Sequence, residues 1–358
     1  MYNNSSYMYN NSSFNVNNSH PLIPREQNYF LDRKLVSIHS EDRDITKYPN
    51  SNEFAITLPQ PLYNVQSMRL VQSTFPIVPA YYTFSKEYQN TKFRFTLNLL
   101  GGDSSFCVEI QEGTYTACQL STEITNVMNN AVGSETFNVY YDIVSSKFWF
   151  GSTGAHFTLD FSYKMEYQGI SCNQPIVFYN YARWGFPYYL GYDKKQYIAD
   201  GTVPIPSINY LSMADAGSGS AITVIAPIPR NVINIGGEKD IYMEVDKYNS
   251  YDELYPYTES NKNAYDNNAY SGKVNSAFAK IPLDFTLNQD SRNLLLINFV
   301  QYEPPIERIA KLVFRFRFHD GLLVDFRGLE FNFTIEFNSL RNEILRSKNI
   351  RTAAMISL

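Results

Sequence analysis

The sequence predicts a mainly β protein: an antiparallel β-sandwich of jelly-roll-like character, with one inserted helix and extended arms at both ends. Aromatic residues make up 16% of the chain, including 29 Tyr and 25 Phe, and these residue types favour strands. Several segments alternate apolar and polar residues, which is typical of strands with one buried face. Because 358 residues exceed the usual size of one core, we expect one large sandwich or two stacked ones.

Residues 1–32 are predicted to form an extended N-terminal arm. The segment Met1–Tyr7 is followed by a near copy, Met8–Phe14, in which Asn and Ser dominate. Such a segment buries too little apolar surface to fold alone. Its Met, Tyr and Phe side chains nevertheless suit contact with a neighbouring chain, and a disordered tail is the alternative.

Residues 33–200 are predicted to form the first part of the body. Strands are expected at Val36–Ile38, Phe54–Leu58, Phe93–Leu99, Phe137–Ile143 and Phe148–Phe150, and the second of these is expected to end at Pro59. One helix is predicted over residues 117–132. Thr116 and Gln119 have the spacing of a capping box, and Leu120, Ile124, Val127 and Met128 share one helical face.

Residues 201–338 are predicted to form the second part of the body, and residues 339–358 a helical tail. Strands are expected around Ile222–Val224, Ile241–Val245, Leu283–Leu287 and Leu294–Phe299. A hairpin is then predicted, with its turn at Asp320–Gly321. Its inward face is expected to comprise Phe314, Phe316, Phe318, Phe331, Phe333 and Ile335. On the opposite face, Arg315 and Arg317 are expected to pair with Glu330 or Glu336.

A tyrosine-rich stretch, residues 246–276, interrupts the β pattern. Tyr provides a large contact area at a low entropy cost, so a loop of Tyr, Asn and Ser has the composition of a recognition loop. A mobile insertion is the alternative interpretation. The residues predicted to contact partners are Tyr2, Tyr9, Phe14, Tyr251, Tyr255 and Tyr257.

The search for chemistry finds no specific motif, so we predict no enzymatic activity, no cofactor and no metal. His39 lies close in sequence to Ser37 and Glu41, but a catalytic triad normally converges from separate segments. The residues Glu41–Asp44 are expected to cap a turn and form a local ion pair. Three cysteines (Cys107, Cys118 and Cys172) are an odd number without metal-ligand spacing.

Charge and hydropathy exclude two further classes of function. The net charge of −5 disfavours binding to nucleic acid through bulk charge. An Arg-bearing strand can bind single strands, but Arg315 and Arg317 lie on the face opposite to the Phe residues. No apolar run resembles a secretory signal or is long enough to span a bilayer. Contact with an internal membrane stays an open alternative that the sequence does not indicate.

One block of residues resembles a known family. The segment Leu35–Asp44 contains Asp42-Arg43-Asp44 and is followed by Tyr48-Pro49, Phe54, Leu58-Pro59 and Asn64-Val65. This order resembles the N-terminal signature of minor capsid proteins of nucleocytoplasmic large DNA viruses, the chlorella-virus and mimivirus relatives. The resemblance continues at Glu112–Thr116, Tyr189–Tyr192 and Asp320–Phe326. The chain departs from the pattern at His39, where an acidic residue is expected, and in the 246–276 insertion.

The resemblance implies a non-enzymatic cement protein that links and stabilises capsomers of an icosahedral shell. Its partners would be the major capsid protein and other minor capsid proteins, and its location the virion shell, assembled in the host cytoplasm. A penton or vertex-associated capsid protein is the alternative within this class. A receptor- or carbohydrate-binding module, or a glycan-active enzyme with two convergent carboxylates, would be of a different class.

Overall fold

The computed structural model describes residues 29–76, 81–98, 102–134, 136–165, 185–200, 211–212, 224–254, 274–283 and 299–342. The strands are β1 Tyr29–His39, β2 Glu53–Thr74, β3 Lys92–Asn98, β4 Ser104–Glu109, β5 Phe137–Asp142, β6 Lys147–Ser152, β7 His156–Asp160, β8 Gln196–Ala199, β9 Leu211–Ser212, β10 Val224–Ile225, β11 Asp240–Val245, β12 Tyr251–Leu254, β13 Val274–Ala277, β14 Ala279–Pro282, β15 Phe299–Arg317 and β16 Asn332–Asn342. The helices are α1 Ala117–Val132, the short α2 Gly185–Tyr189 and a 3-10 turn at Ser40–Asp42.

The predicted fold class is confirmed, since the chain is mainly β and its strands pair antiparallel. The largest sheet has six strands in the order β1-β16-β2-β15-β11-β14. The described residues also form two four-stranded sheets, β4-β3-β7-β8 and β10-β6-β5-β9, and the pair β12-β13. Among the described residues, no helix is long and apolar enough to cross a membrane.

The long helix α1 lies where the sequence predicted it, and its first turn is capped as expected. The Thr116 side chain accepts from the backbone N–H of Gln119, and the Gln119 side chain accepts from the backbone N–H of Thr116. Gly133 ends the helix in the left-handed region at φ +76°, which suits glycine. The helix packs its buried Leu120, Ile124 and Met128 beside β5 and β4.

Among the described residues, most buried apolar side chains form two large clusters, and Tyr140, Trp149 and Ile225 form a small third one. The first lies on the six-stranded sheet and draws residues from 38–81 and 241–337. The second lies between the two four-stranded sheets, where Phe95 of β3 and Phe137 of β5 meet with ring centroids 5.2 Å apart. Each cluster takes residues from both sides of residue 200, so the two cores do not follow the predicted boundary there. The division of the chain into domains stays a prediction.

Strand β2 continues well beyond Pro59, where the sequence predicted its end. The register with β15 passes from Thr57 opposite Lys311 to Leu62 opposite Ile309. Residues 58–61 therefore bulge opposite a single residue of β15, and Pro59 and Pro61 lie within this bulge. A proline in such a bulge need not donate a ladder hydrogen bond, which is why the strand survives both prolines.

The predicted hairpin between residues 312–318 and 329–337 is wrong in its pairing. Strand β2 lies between β15 and β16, so these two strands are not neighbours. The turn at Asp320–Gly321 is present, with Gly321 at φ +89° and Phe318 accepting from its N–H. The six predicted inward side chains are nevertheless all buried in the first cluster, which confirms that face. These side chains lie on the same face because β15 and β16 belong to one sheet, in which β2 separates them.

The predicted arm boundaries, after residue 32 and before residue 339, both lie within the paired strands β1 and β16. β1 begins at Tyr29 and β16 ends at Asn342, and these two residues are register partners. Residues 339–342 are therefore strand, where the sequence predicted the start of a helical tail, because pairing with β1 outweighs local helical preference. The remainder of that tail and residues 1–28 lie outside the described residues, as do the predicted strand centres at 284–298.

Candidate functional site

The tyrosine-rich stretch begins and ends on a short antiparallel strand pair. β12 and β13 pair from Tyr251 opposite Ala277 to Leu254 opposite Val274; we call these two strands the anchored strand pair. Three of its large side chains are well exposed: Tyr251 at 42%, Leu254 at 50% and Val274 at 50%. Of the predicted contact residues, only Tyr251 is among the described residues; Tyr2, Tyr9, Phe14, Tyr255 and Tyr257 lie outside them.

The connection from the large sheet to this strand pair is fixed by hydrogen bonds. Asn249 accepts from the backbone N–H of Val245 at 2.8 Å and donates to the backbone oxygen of Ser276 at 3.1 Å. The Tyr302 hydroxyl donates to the backbone oxygen of Tyr248 at 3.0 Å. One short asparagine side chain thus joins the end of β11 to β13 and sets the direction in which β12 leaves the sheet.

A buried ion network holds the anchored strand pair against the outer face of the sheet. The Arg317 side chain is only 5% exposed, and its Nε donates to Glu244 Oε1 at 2.5 Å. Its Nη1 donates to Glu253 of β12, whose side chain is 6% exposed. The other oxygen of Glu253 lies 2.8 Å from Nδ1 of His319. Glu253 therefore links β12 to two residues at the end of β15.

The network extends to the exposed surface through Arg315. This guanidinium donates to Glu53 Oε1 at 3.0 Å and to Glu244 Oε2 at 3.2 Å. The hydrogen bond to Glu53 is the main reason why the pKa of Arg315 is raised. Its side chain is 47% exposed, so water screens this end of the network more than the end at Arg317.

Tyr242 of β11 forms an aromatic wall of the network. The Arg317 guanidinium lies 5.3 Å from its ring centroid, and the His319 ring lies 6.0 Å away. Burial raises the pKa of Tyr242 well above its usual value, and the charge of Glu253 adds to this effect. The phenol is therefore neutral at physiological pH, and the ring offers its face to the cation.

The predicted partners of the two arginines are wrong. Glu330 and Glu336 lie elsewhere, because β2 separates β15 from β16, and Glu336 instead contacts Arg33 at 2.6 Å and Arg69 at 2.9 Å. Glu253 was not predicted as a partner; it is 64 residues from Arg317 in the sequence. No periodic signal connects the two residues. The interpretation that the two arginines are paired agrees with these contacts.

The Asp42-Arg43-Asp44 motif, on which the family resemblance partly rests, stabilises the connection between β1 and β2. Arg43 is 9% exposed, and its guanidinium donates to three backbone oxygens, of Ser40, Tyr48 and Pro49. It also contacts Glu330 at 2.6 Å, so its ion pair spans the chain and is not the local one we predicted. Burial raises the pKa of Glu330, but the hydrogen bonds from Arg43 and Ser40 outweigh it, so the pKa is lowered.

The capping role predicted for the acidic cluster is confirmed at Asp44. Its carboxylate accepts from the backbone N–H of Thr46 at 3.1 Å and from the Thr46 hydroxyl at 2.6 Å. These hydrogen bonds lower the pKa of Asp44. Within the described ranges, no group of three or more metal-ligating side chains could hold an ion.

Ser37, His39 and Glu41 form a surface row. The Ser37 hydroxyl lies 3.4 Å from Nε2 of His39, and Glu41 Oε1 lies 3.6 Å from Nδ1. The side chains of His39 and Glu41 are 44% and 68% exposed. Both distances exceed those of charge-assisted hydrogen bonds, so the geometry does not organise a nucleophile and its base.

Among known proteins, the chain is remotely similar to solved structures. No family model and no curated protein matches the chain. A crystal structure of a mavirus penton protein, labelled with selenomethionine, is similar over 87% of this chain and 99% of that chain. The sequence identity is 9% and the TM-score is 0.38.

Proposed function

We propose that this protein is a structural component of a viral shell and acts as a cement protein that links neighbouring capsomers. The observation that carries the proposal is the anchored strand pair. A buried ion network fixes its base, and exposed apolar side chains lie beside a tyrosine-rich stretch. A rigid base beneath side chains suited to recognition is the arrangement expected of a contact surface.

The sequence resemblance to minor capsid proteins supports the same proposal. Its Arg43 motif builds the turn that joins β1 to β2, and Phe54, Leu58 and Val65 are core residues. The motif therefore supports a related body and contributes no reactive group. Function by contact, without chemistry, is consistent with this use of the residues.

A cement protein gains its binding strength from several weak contacts. Each contact makes the next one intramolecular, so the total exceeds any single affinity. Residues 1–20 supply a second set of aromatic side chains for this purpose under our proposal. Deleting these residues should reduce incorporation into particles while the body stays folded.

Copies per particle, counted by quantitative mass spectrometry, test the proposal. Tyr251→Ala and deletion of residues 1–20 should each lower the copy number, and the two changes together should lower it further. Tyr63→Ala is the matched control, because Tyr63 is also an exposed strand tyrosine, at 55%. His39→Gln should leave the copy number unchanged. Normal incorporation of the double variant would refute the cement function.

A penton or vertex-associated role is the alternative within the same class. It would place the protein only at the five-fold vertices, whereas a cement protein lies between capsomers across the faces. Reconstruction of intact particles separates the two, since density for the β-rich body would lie at different lattice positions.

A further inference from the structure

Strand β1 forms one edge of the large sheet and is the longer of its two edge strands. It has eleven residues, Tyr29–His39, whereas the other edge strand, β14, has four. Among the described residues, β1 pairs only with β16, in one continuous register. An edge strand leaves a row of backbone N–H and C=O groups unpaired, and such a row can pair with a strand of another chain. The open side of β1 is therefore a candidate contact surface.

The outward face of β1 carries two exposed leucines. Ile38 is buried in the first cluster, so residues an odd number of positions away from it point outward. On that face, Leu31 and Leu35 are 59% and 54% exposed, and the side chain of Arg33 between them is 59% exposed. Edge strands are commonly protected from pairing by prolines, bulges or charges. Strand β1 contains no proline and no bulge, so its charged residues decide which strand can pair with it.

The order of residues in β1 matches a second copy of the same strand. Consider two copies that lie antiparallel with Arg33 opposite Arg33. Asp32 of each copy then lies opposite Lys34 of the other, and Leu31 of each copy lies opposite Leu35 of the other. A two-fold axis repeats both pairs. Opposite charges and apolar side chains in directly opposed positions stabilise a strand pair, so β1 is complementary to itself.

The charges needed for this pairing are accessible. Lys34 is exposed and has no ion-pair partner among the described residues. Asp32 is 45% exposed and contacts Arg341 through Oδ2 at 2.6 Å, so a second cation can share this carboxylate. The two Arg33 guanidiniums would lie near each other at the axis, but each contacts Glu336 of its own chain at 2.6 Å. That carboxylate and the surrounding water reduce the repulsion between them.

Neighbouring registers fit the strand pair less well. The inner faces of both sheets stay on the same side only when residues of the same face lie opposite each other, so the axis must pass through a residue. An axis at Asp32 would oppose two carboxylates and place Leu31 opposite Arg33. An axis at Lys34 would oppose two ammonium groups and place Leu35 opposite Arg33. Like charges in opposed positions are destabilising, so the axis at Arg33 is favoured.

We propose that β1 pairs with β1 of a second copy of this chain, antiparallel and centred on Arg33. The two six-stranded sheets then become one continuous sheet across a two-fold axis. Backbone hydrogen bonds between the strands supply the affinity, and the Asp32–Lys34 and Leu31–Leu35 pairs set the register. This inference goes beyond the cement function, because it concerns two copies of this chain and requires no other shell protein.

Sedimentation velocity of the full chain over a range of concentrations tests the proposal. We expect a concentration-dependent dimer. Lys34→Asp opposes two carboxylates at both symmetric positions and should weaken the dimer about tenfold. Exchanging the two charges, Asp32→Lys with Lys34→Asp, should restore most of the affinity, since the exposed contact between Asp32 and Arg341 that it removes contributes little.

The leucines have a matched control on another edge strand. Leu35→Ser should also weaken the dimer, because it removes an apolar pair on each side of the axis. Ile198→Ser should leave the dimer unchanged, because Ile198 is 60% exposed on β8, an edge strand of a different sheet. Circular dichroism confirms that each variant is folded.

Arg33→Cys tests the register directly. The new cysteine would lie opposite itself, with Cα atoms about 4.5–5.5 Å apart, a separation that a disulfide spans. Oxidation should therefore give a covalent dimer on a non-reducing gel. Leu35→Cys is the control, since its two copies would lie about 13 Å apart along the strands. Three results would overturn the proposal: a monomer at every concentration, as expected if residues 1–28 covered this edge; an exchange variant as weak as Lys34→Asp; or equal cross-linking of the two cysteine variants.

Discussion

Replacing Arg317 by methionine tests whether the buried ion network anchors the strand pair. The substitution keeps most of the apolar stem and removes the charge, which leaves Glu253, 6% exposed, without its guanidinium partner. Removing one partner of a buried pair costs about 3–5 kcal/mol, because the other charge stays desolvated. Glu253→Gln should cost less, since Arg317 keeps Glu244 at 2.5 Å. The double variant should lose less than the sum of the two single losses.

Arg315→Met is the matched control for this prediction. This substitution removes the same group from the same strand. The Arg315 side chain also contacts Glu244, but it is 47% exposed. Exposed pairs contribute about 0–1 kcal/mol. Urea unfolding gives the free energies, and amide exchange at β12 reports whether the strand pair detaches locally. If Arg317→Met and Arg315→Met were equally destabilising, the network would not be the anchor.

Three further predictions concern the body. Phe316→Ala, at a fully buried site, should lower the free energy of unfolding by about 3–5 kcal/mol; a urea titration showing a loss below about 1 kcal/mol would contradict the inward face. The pKa of Glu330 is lower in the folded protein than its usual value of 4.5, so ionised Glu330 stabilises the fold at pH values above 4.5. This stabilisation is lost as the pH falls through the folded pKa. The difference in Tm between Glu330→Gln and the unaltered protein should therefore shrink in acid. Gly191→Ala should lower Tm far more than Gly133→Ala, since both have positive φ but only Gly191 would place a Cβ 2.4 Å from a backbone oxygen.

Local patterns were sufficient to predict most individual elements. Helix α1 was predicted at the right place, since its capping box and its apolar face are both encoded within a few positions. The inward face of β15 followed from strict alternation. The continuation of β2 past Pro59 was missed, because a bulge depends on what β15 provides opposite it.

The pairing of strands and the candidate site could not be predicted in this way. Strand β2 pairs with β15 through residues more than 200 positions apart, and β11 pairs with β15 through residues about 70 positions apart; local alternation is the same for every order of strands. The same holds for Glu253, whose partner Arg317 is 64 residues away. Composition did point to the tyrosine-rich stretch, but only the fold shows that its base is held by buried charges.

The pairing of Tyr29 with Asn342 also determines how the body responds to force. Residues 1–28 and 343–358 leave the sheet at the same end of β1 and β16. If both segments were pulled apart, the backbone hydrogen bonds between these two strands would be loaded one after another from that end. Hydrogen bonds that break one at a time resist tension weakly. If only one segment were pulled while the body was held elsewhere, the force would act along the strand and on many of its hydrogen bonds at once. Under the proposed function, attachment to neighbouring proteins through one terminal segment would therefore be firmer than attachment through both.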